Sequence, residues 1–123
     1  MAKILVIDDE VQLVQMVQIR LEANGYDIVT AYDGEEGIEK VKSENPDLII
    51  LDIMMPKMNG FEACKILKND PKYSKIPIIF LSAKVQEEDL EIGKAKGADA
   101  FVKKPFETPD LLAKIKELLE KSS

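Results

Sequence analysis

The sequence contains no histidine among its 123 residues. Ser-His-Asp and Cys-His triads, as they are usually built, are therefore excluded. Zinc sites with imidazole ligands are excluded as well. Any chemistry in this chain has to use carboxylates, lysines, hydroxyls and backbone groups, and such oxygen-rich sets favour hard cations such as Mg²⁺.

Disulfides and long apolar runs are also missing. Cys64 is the single cysteine, so no intramolecular disulfide can form, and we expect it to be a buried core residue in a reducing compartment. No apolar run approaches the roughly 20 residues of a membrane span. The first residues, MAKILVIDDE, lack the apolar core of a signal peptide. We therefore expect a cytoplasmic protein that does not bind membranes.

The sequence has no excess of basic residues. Its 17 lysines and arginines are outnumbered by 23 acidic residues, which gives a net charge of −6. Nucleic-acid binding usually requires a basic surface, so we expect no direct nucleic-acid binding by this chain. The length and the 46% hydrophobic content suit one core, and we predict a single domain over residues 1–123.

Short apolar segments alternate five times with amphipathic ones. The predicted strands are Lys3–Ile7, Asp27–Ala31, 47–51, 76–81 and 100–102. Helical stripes lie between them, as in Val14, Val17 and Leu21, and a helix with few apolar anchors is predicted over residues 87–96. A third helix is predicted over residues 61–68, with Phe61, Cys64, Ile66 and Leu67 available for its buried side. Thr108 and Pro109 predict the cap and the first position of the last helix. This alternation predicts an α/β fold with a doubly wound, five-stranded parallel sheet.

Polar side chains follow the predicted strands where each strand ends. Alone, each has an ordinary explanation as a helix cap, a turn residue or a surface lysine. Together they indicate a site, because open α/β sheets carry their sites at the carboxyl ends of the strands. The residues are Asp8, Asp9 and Glu10 after the first strand, Asp52 after the third, Ser82 after the fourth, and Lys103 and Lys104 after the fifth.

Clustered carboxylates at one sheet edge require compensating charge. Two like charges about 4 Å apart repel by ~4 kcal/mol at an effective dielectric near 20, so a divalent cation is the natural partner. A carboxylate can also act as a nucleophile and form an acyl phosphate. Phosphoryl transfer requires mainly positioning and charge stabilisation, which a metal, an ammonium and a hydroxyl provide.

Four motifs together resemble the receiver domain of two-component response regulators. They are VIDDE (residues 6–10), DLIILDIMMPKMNG (47–60), FLSAK (80–84) and GADAFVKKPF (97–106), and the resemblance covers essentially the whole chain. It implies a flavodoxin-like (βα)5 sandwich with the strand order 2-1-3-4-5 of the chemotaxis receiver.

The resemblance also implies a phosphorylation-activated signalling switch that is not an enzyme in the ordinary sense. Asp52 would accept a phosphoryl group from a sensor histidine kinase or a phosphotransfer protein. Asp9 and Asp52 would ligate Mg²⁺, with Mn²⁺ as an alternative, together with the backbone carbonyl of Met54. Asp8 would act through a metal-bound water.

The remaining roles concern the phosphoryl group and the response to it. Ser82 and Lys104 would contact phosphoryl oxygens, and the Lys104–Pro105 peptide bond would be cis. Phe101 stands at the position of the switch aromatic. The face formed by the fourth predicted helix (residues 87–96), the fifth strand and the fifth, last predicted helix would change on phosphorylation. This face would control an output partner that the sequence does not identify.

The same motifs bear on the oligomeric state. Regulators of the winged-helix transcription class commonly show two acids before the strand-5 aromatic, whereas here Asp99 is followed by Ala100. One element of the charged dimer face of that class is missing. We therefore expect a monomer or a weak dimer that depends on phosphorylation.

The sequence argues against two other functions. A flavodoxin-like FMN carrier needs a phosphate loop after strand 1, where the acidic IDDEVQ would repel phosphate. A haloacid-dehalogenase-type phosphatase needs a second aspartate at the position of Met54. Two alternatives stay open: a receiver fragment of a larger DNA-binding regulator, and a flavodoxin-like interaction module that is not phosphorylated.

Overall fold

The computed structural model describes residues 1–83 and 97–122, and the structural statements below concern these residues. The helix predicted over residues 87–96 lies outside them. The described elements, in chain order, are β1 (Lys3–Ile7), α1 (Val11–Glu22), β2 (Asp27–Ala31), α2 (Gly34–Glu44), β3 (Leu48–Asp52), α3 (Gly60–Lys68), β4 (Ile78–Ser82), β5 (Ala100–Lys103) and α4 (Thr108–Ser122).

The five strands form one parallel sheet in the order β2-β1-β3-β4-β5, which confirms the predicted topology. β2 lies at one edge of the sheet and β5 at the other. In the register, Asp52 is paired with Leu81, and Ser82 is paired with Lys103. The carboxyl ends of β1, β3, β4 and β5 therefore meet along one edge of the sheet.

Alternate residues of each strand supply two cores on opposite faces of the sheet. Ile4 and Val6 belong to a cluster that also contains the buried residues of α1 and α4. Leu5 and Ile7 belong to a second cluster, which includes Val41 of α2 and buried residues of α3. Helices thus cover both faces, which explains why the central strands are continuously apolar. Cys64 is fully buried in the second core, as expected.

Strand boundaries differ from the predicted ones by one or two residues. β3 covers Leu48–Asp52 because Asp52 pairs with β4, whereas the carboxylate of Asp47 accepts a hydrogen bond from the backbone N–H of Lys3. β4 covers Ile78–Ser82, and β5 extends to Lys103. Asp52 and Ser82 are thus the last residues of buried strands, which fixes their backbone more firmly than a loop would.

Two details of the predicted helices are wrong. Ile66 was assigned to the buried side of α3, but it is 47% exposed. The buried positions of α3 are 60, 63, 64 and 67, and 66 falls off that helical stripe. Thr108 was assigned as the cap of the last helix, but it is the first helical residue of α4. Its hydroxyl accepts a hydrogen bond from Arg20 Nη1 at 2.8 Å.

Candidate phosphorylation and metal site

The first wall of the site is the turn from β1 to α1. The backbone N–H of Asp8 donates to the carbonyl of Ala31, which continues the β1–β2 pairing by one residue. Oδ1 of Asp8 accepts a hydrogen bond from the backbone N–H of Glu10 at 3.0 Å, and Glu10 is the N-cap of α1. Asp8 is completely buried, whereas Asp9 is exposed. The turn therefore presents one buried and one exposed carboxylate at the sheet edge.

The second wall is the end of β3 and the loop that follows it. Asp52 is only 3% exposed. The loop is closed by Gly60, whose N–H donates to the carbonyl of Ile53 at 2.9 Å. Asn59 and Glu62 form a capping box that starts α3, with the Asn59 side chain accepting from the N–H of Glu62 at 2.9 Å. These bonds hold the loop against the residue that bears the candidate nucleophile.

A cluster of three carboxylates results from this arrangement. Asp8, Asp9 and Asp52 each offer an oxygen, and the three oxygens lie within 4.8 Å of one another. Oxygen-only donors around a partly open space suit Mg²⁺ or Mn²⁺. The residues present therefore fit the divalent cation that the resemblance implies: the cluster is an acidic pocket with the donor set for a metal ion.

Lys104 lies among the carboxylates. Its Nζ is 2.7 Å from Oδ2 of Asp8, 3.4 Å from Oδ1 of Asp52 and 3.5 Å from Oε1 of Glu10. Its backbone N–H donates to the carbonyl of Ser82 at 2.8 Å, and its peptide bond to Pro105 is cis, as the resemblance implied. The side chain is 11% exposed, so the ammonium acts in a poorly hydrated environment.

Burial and charge together shift two ionisation equilibria in the site. Burial, followed by the negative charge of Asp8, raises the pKa of Asp52 to about 6, against the opposing effect of Lys104 and of a hydrogen bond from the backbone of Met54. Burial by itself would lower the pKa of Lys104. The hydrogen bond and charge of Asp8, with Asp52 and Glu10, more than offset this, so the pKa of Lys104 is raised. Lys104 thus stays charged at neutral pH, and Asp52 ionises near pH 6.

Three further predicted residues lie on, or shortly after, the strands that carry this centre. Ser82 is buried at the end of β4, on the strand next to Asp52. Met54 follows Asp52 by two positions, and its side chain is 70% exposed. Phe101 is half-buried on β5 and packs against Phe80, with ring centroids 5.5 Å apart. Phe80 in turn contacts Phe61 edge to face at 5.3 Å, so an aromatic row connects β5, β4 and α3.

The sequence placed Glu10 among the acids at this edge of the sheet but gave it no individual role. The structure places its carboxylate beside Lys104. The short Asp8–Lys104 hydrogen bond was not foreseen either, because the two residues are 96 positions apart. The only signal in the sequence was that both follow a strand on the same edge.

The geometry agrees with a known family. A family model described as the response regulator receiver domain matches residues 4–116. This chain belongs to the response regulator receiver domain family. Among solved structures, the receiver domain resembles the chemotaxis protein CheY4 of Vibrio cholerae, with a TM-score of 0.92 and 37% identity over 96% of this chain and 98% of CheY4.

Two curated relatives share the receiver sequence. Over 120 residues, the chain is 45% identical to the alkaline phosphatase synthesis transcriptional regulatory protein PhoP of Bacillus subtilis. Over the same length it is 43% identical to the probable transcriptional regulator ycf27 of Cyanophora paradoxa. Both alignments cover 98% of this chain and 49% of the relative, so the chain spans about half the length of these proteins.

Across residues 1–83 and 97–122, no helix of this receiver domain combines the length and the apolar character needed to cross a bilayer.

Proposed function

We propose that this chain acts, as a single receiver domain over residues 1–123, as a phosphorylation-activated switch in cytoplasmic two-component signalling. Asp52 accepts a phosphoryl group from a sensor histidine kinase or a phosphotransfer protein in a reaction that depends on Mg²⁺. The observation that carries this proposal is the position of Asp52: it is buried at the end of a central strand, within the cluster of three carboxylates, and 3.4 Å from Lys104.

The transfer follows from the chemistry of a carboxylate nucleophile. An oxygen of Asp52 attacks phosphorus, the P–N bond of the phosphohistidine breaks, and the imidazole retains the electron pair and takes up a proton. Asp52 is mostly ionised at neutral pH, since its pKa is about 6. The burial that raises this pKa also keeps water away from the nucleophile, which favours attack on phosphorus over solvation of the carboxylate.

Charge compensation is divided between the metal and the lysine. Asp9, Asp52 and the backbone carbonyl of Met54 would hold Mg²⁺, with Asp8 acting through a water, and the cation would supply positive charge that offsets the phosphoryl group. Lys104 provides an ammonium that pairs with a phosphoryl oxygen after transfer, and Ser82 provides a hydroxyl for another. The chain thereby promotes its own phosphorylation and is not an enzyme with a separate substrate.

The response to phosphorylation starts from the same residues. New charge on Asp52 attracts the Ser82 hydroxyl, and Phe101 moves into the space that Ser82 leaves. The row of Phe61, Phe80 and Phe101 provides a packed connection from α3, through β4, which also carries Ser82, to β5. The face that includes β5 and α4 then binds its output partner differently, and the chain is monomeric or forms a weak dimer that depends on phosphorylation.

The proposal is tested by incubating the chain with acetyl phosphate and Mg²⁺ and measuring its intact mass. We expect a gain of one phosphoryl group, loss of this gain on chelation of the metal, and no gain for Asp52→Asn. Asp27→Asn, which changes an exposed aspartate on β2, is the matched control and should be phosphorylated normally. Absence of any adduct, with no binding of beryllofluoride, would favour the interaction module that is not phosphorylated.

A further inference from the structure

Glu10 is the acid beside the candidate site that neither the metal cluster nor the fold requires. Among the described residues, the cluster with metal-ligand spacing consists of Asp8, Asp9 and Asp52. The carboxylate of Glu10 instead lies 3.5 Å from the ammonium of Lys104, on a side chain that is 64% exposed. Glu10 is the N-cap residue of α1, but its side chain makes no capping hydrogen bond, so only its backbone serves the helix.

The side chains around Lys104 carry a net negative charge. Among the described residues, the carboxylates of Asp8, Glu10 and Asp52 lie within 3.5 Å of this ammonium, and Asp9 belongs to the same cluster as Asp8 and Asp52. A divalent cation added to Lys104 leaves one negative charge in excess. Three of the carboxylates have a proposed role in metal binding or phosphoryl transfer, so the excess charge is that of Glu10.

Glu10 also lies at the approach to Lys104. It lines a groove of about 440 Å³ together with Lys104, Arg20, Leu13, Met16, Ala83, Pro105 and Phe106. Among the described residues that line this groove, Glu10 is the one with a carboxylate, and its exposed side chain places a negative charge beside the ammonium. Repulsion of an anion by this charge acts over distances of about 10 Å at 0.1 M salt.

We propose that Glu10 is a specificity-determining residue that slows phosphorylation of Asp52 by small dianionic phosphodonors through electrostatic repulsion. This inference rests on the proposed phosphorylation of Asp52. It implies that a free metabolite-sized donor is disfavoured relative to a donor with less negative charge, or to one that a protein partner positions by other contacts.

The test compares wild type with Glu10→Gln at saturating Mg²⁺ and low salt, with the second-order rate constant of phosphorylation as the readout. For acetyl phosphate we expect an increase of about threefold, the size of effect that one charge has on a nearby dianion in water. The increase should be smaller with phosphoramidate, which carries less negative charge, and it should shrink as salt is raised.

The matched control is Glu22→Gln, which makes the same change at the other end of the same helix. Glu22 is exposed and lies 12 residues from Glu10, roughly 18 Å along the helix axis. We expect its rate constant to equal that of wild type. A purely structural effect of Glu10→Gln would not depend on donor charge or on salt.

The outcomes separate this inference from the proposed function. If wild type is phosphorylated but the rate constant of Glu10→Gln is unchanged or lower, the proposed role of Glu10 is overturned and the proposed function stands. The same conclusion follows if the rate constant rises equally for both donors and at all salt concentrations. No phosphorylation of wild type by either donor would instead overturn the proposed function.

Discussion

Single residues in this receiver domain carry opposing energetic demands, and Asp52 shows them most clearly. Its carboxylate has to be ionised to act as a nucleophile, yet burial and the charge of Asp8 disfavour the ionised form and raise its pKa to about 6. Because the pKa is higher in the folded than in the unfolded chain, ionisation of Asp52 reduces stability. This cost is fully present above pH 6 and disappears as the pH falls toward 4.

Asp52→Asn should therefore stabilise the protein at neutral pH in the absence of metal. A pKa shift of about two units corresponds to on the order of 1 to 3 kcal/mol in the free energy of unfolding. We expect most of this gain in the free energy of unfolding at pH 7.5 and much less at pH 4.5. Urea denaturation in the presence of a metal chelator measures it. Asp27→Asn should show no such pH-dependent gain, and equal effects of the two substitutions would contradict the account.

Lys104 has the reverse role, since it compensates carboxylates that are buried. Lys104→Met leaves Asp8 without its 2.7 Å partner and should lower the free energy of unfolding by about 2 to 4 kcal/mol, as expected when one member of a buried ion pair is removed. Chemical denaturation without metal measures this loss. Saturating Mg²⁺ should reduce it, because the cation replaces part of the missing charge.

Lys103→Met is the control for that experiment. Lys103 is the neighbouring residue, but its side chain is exposed, so the same substitution should change stability by less than about 0.5 kcal/mol. If the two variants lose the same amount of stability, the ion pairs of Lys104 do not support the site.

At the level of elements, the loop between β3 and α3 packs tightly against the end of β3. A Cβ added at Gly60 would collide with the backbone carbonyl of Asp52 and would lie 2.9 Å from Cα of Ile53. These neighbours are backbone atoms, which cannot rotate away as a side chain can. The loop is therefore packed directly against the residue that carries the site.

Gly60→Ala should displace this loop and destabilise the protein by about 2 kcal/mol or more, the cost typical of overpacking, with a matching fall in the rate of phosphorylation. Gly25→Ala is the control, because Gly25 has a positive φ of 91° but open space around it. It should cost about 1 to 2 kcal/mol from backbone strain and leave the phosphorylation rate unchanged. An unaltered rate in Gly60→Ala would argue against the positioning role of the loop.

Most helices and strands were predictable from the sequence, because the apolar periodicity that marks them is a local property of the chain. Val14, Val17 and Leu21 mark a helix and Asp27–Ala31 a strand, because apolar periodicity reflects burial on one face or on two. Ile66 was misplaced because α3 is short, and composition alone does not fix which stripe of a short helix faces the sheet. Strand ends were shifted because pairing with a neighbouring strand sets them.

The site was predictable as a set of residues and less so as a set of contacts. The rule that strand ends share an edge was enough to bring together Asp8, Asp9, Asp52, Ser82 and Lys104. It did not reveal that Lys104 lies closer to Asp8 than to Asp52, nor that Glu10 reaches the same ammonium. Such distances depend on side-chain packing among segments far apart in sequence, which periodicity does not report.

The whole molecule matters because no single segment contains the site. Two of its acids follow β1 and a third ends β3, its hydroxyl ends β4, and its lysine follows β5. The parallel register, with Asp52 beside Leu81 and Ser82 beside Lys103, brings these segments to one edge. The site is therefore complete only when the sheet is formed, and a phosphoryl group on Asp52 would lie next to segments from several strands.

The central claim, that Asp52 is the phosphorylated residue, is tested most directly by trapping the acyl phosphate. The chain is phosphorylated with acetyl phosphate and Mg²⁺, reduced with borohydride, digested and sequenced by mass spectrometry. Borohydride converts a phosphorylated aspartate into homoserine, and the account predicts homoserine at position 52 alone. Homoserine at position 8 or 9, or at position 52 without prior phosphorylation, would contradict it.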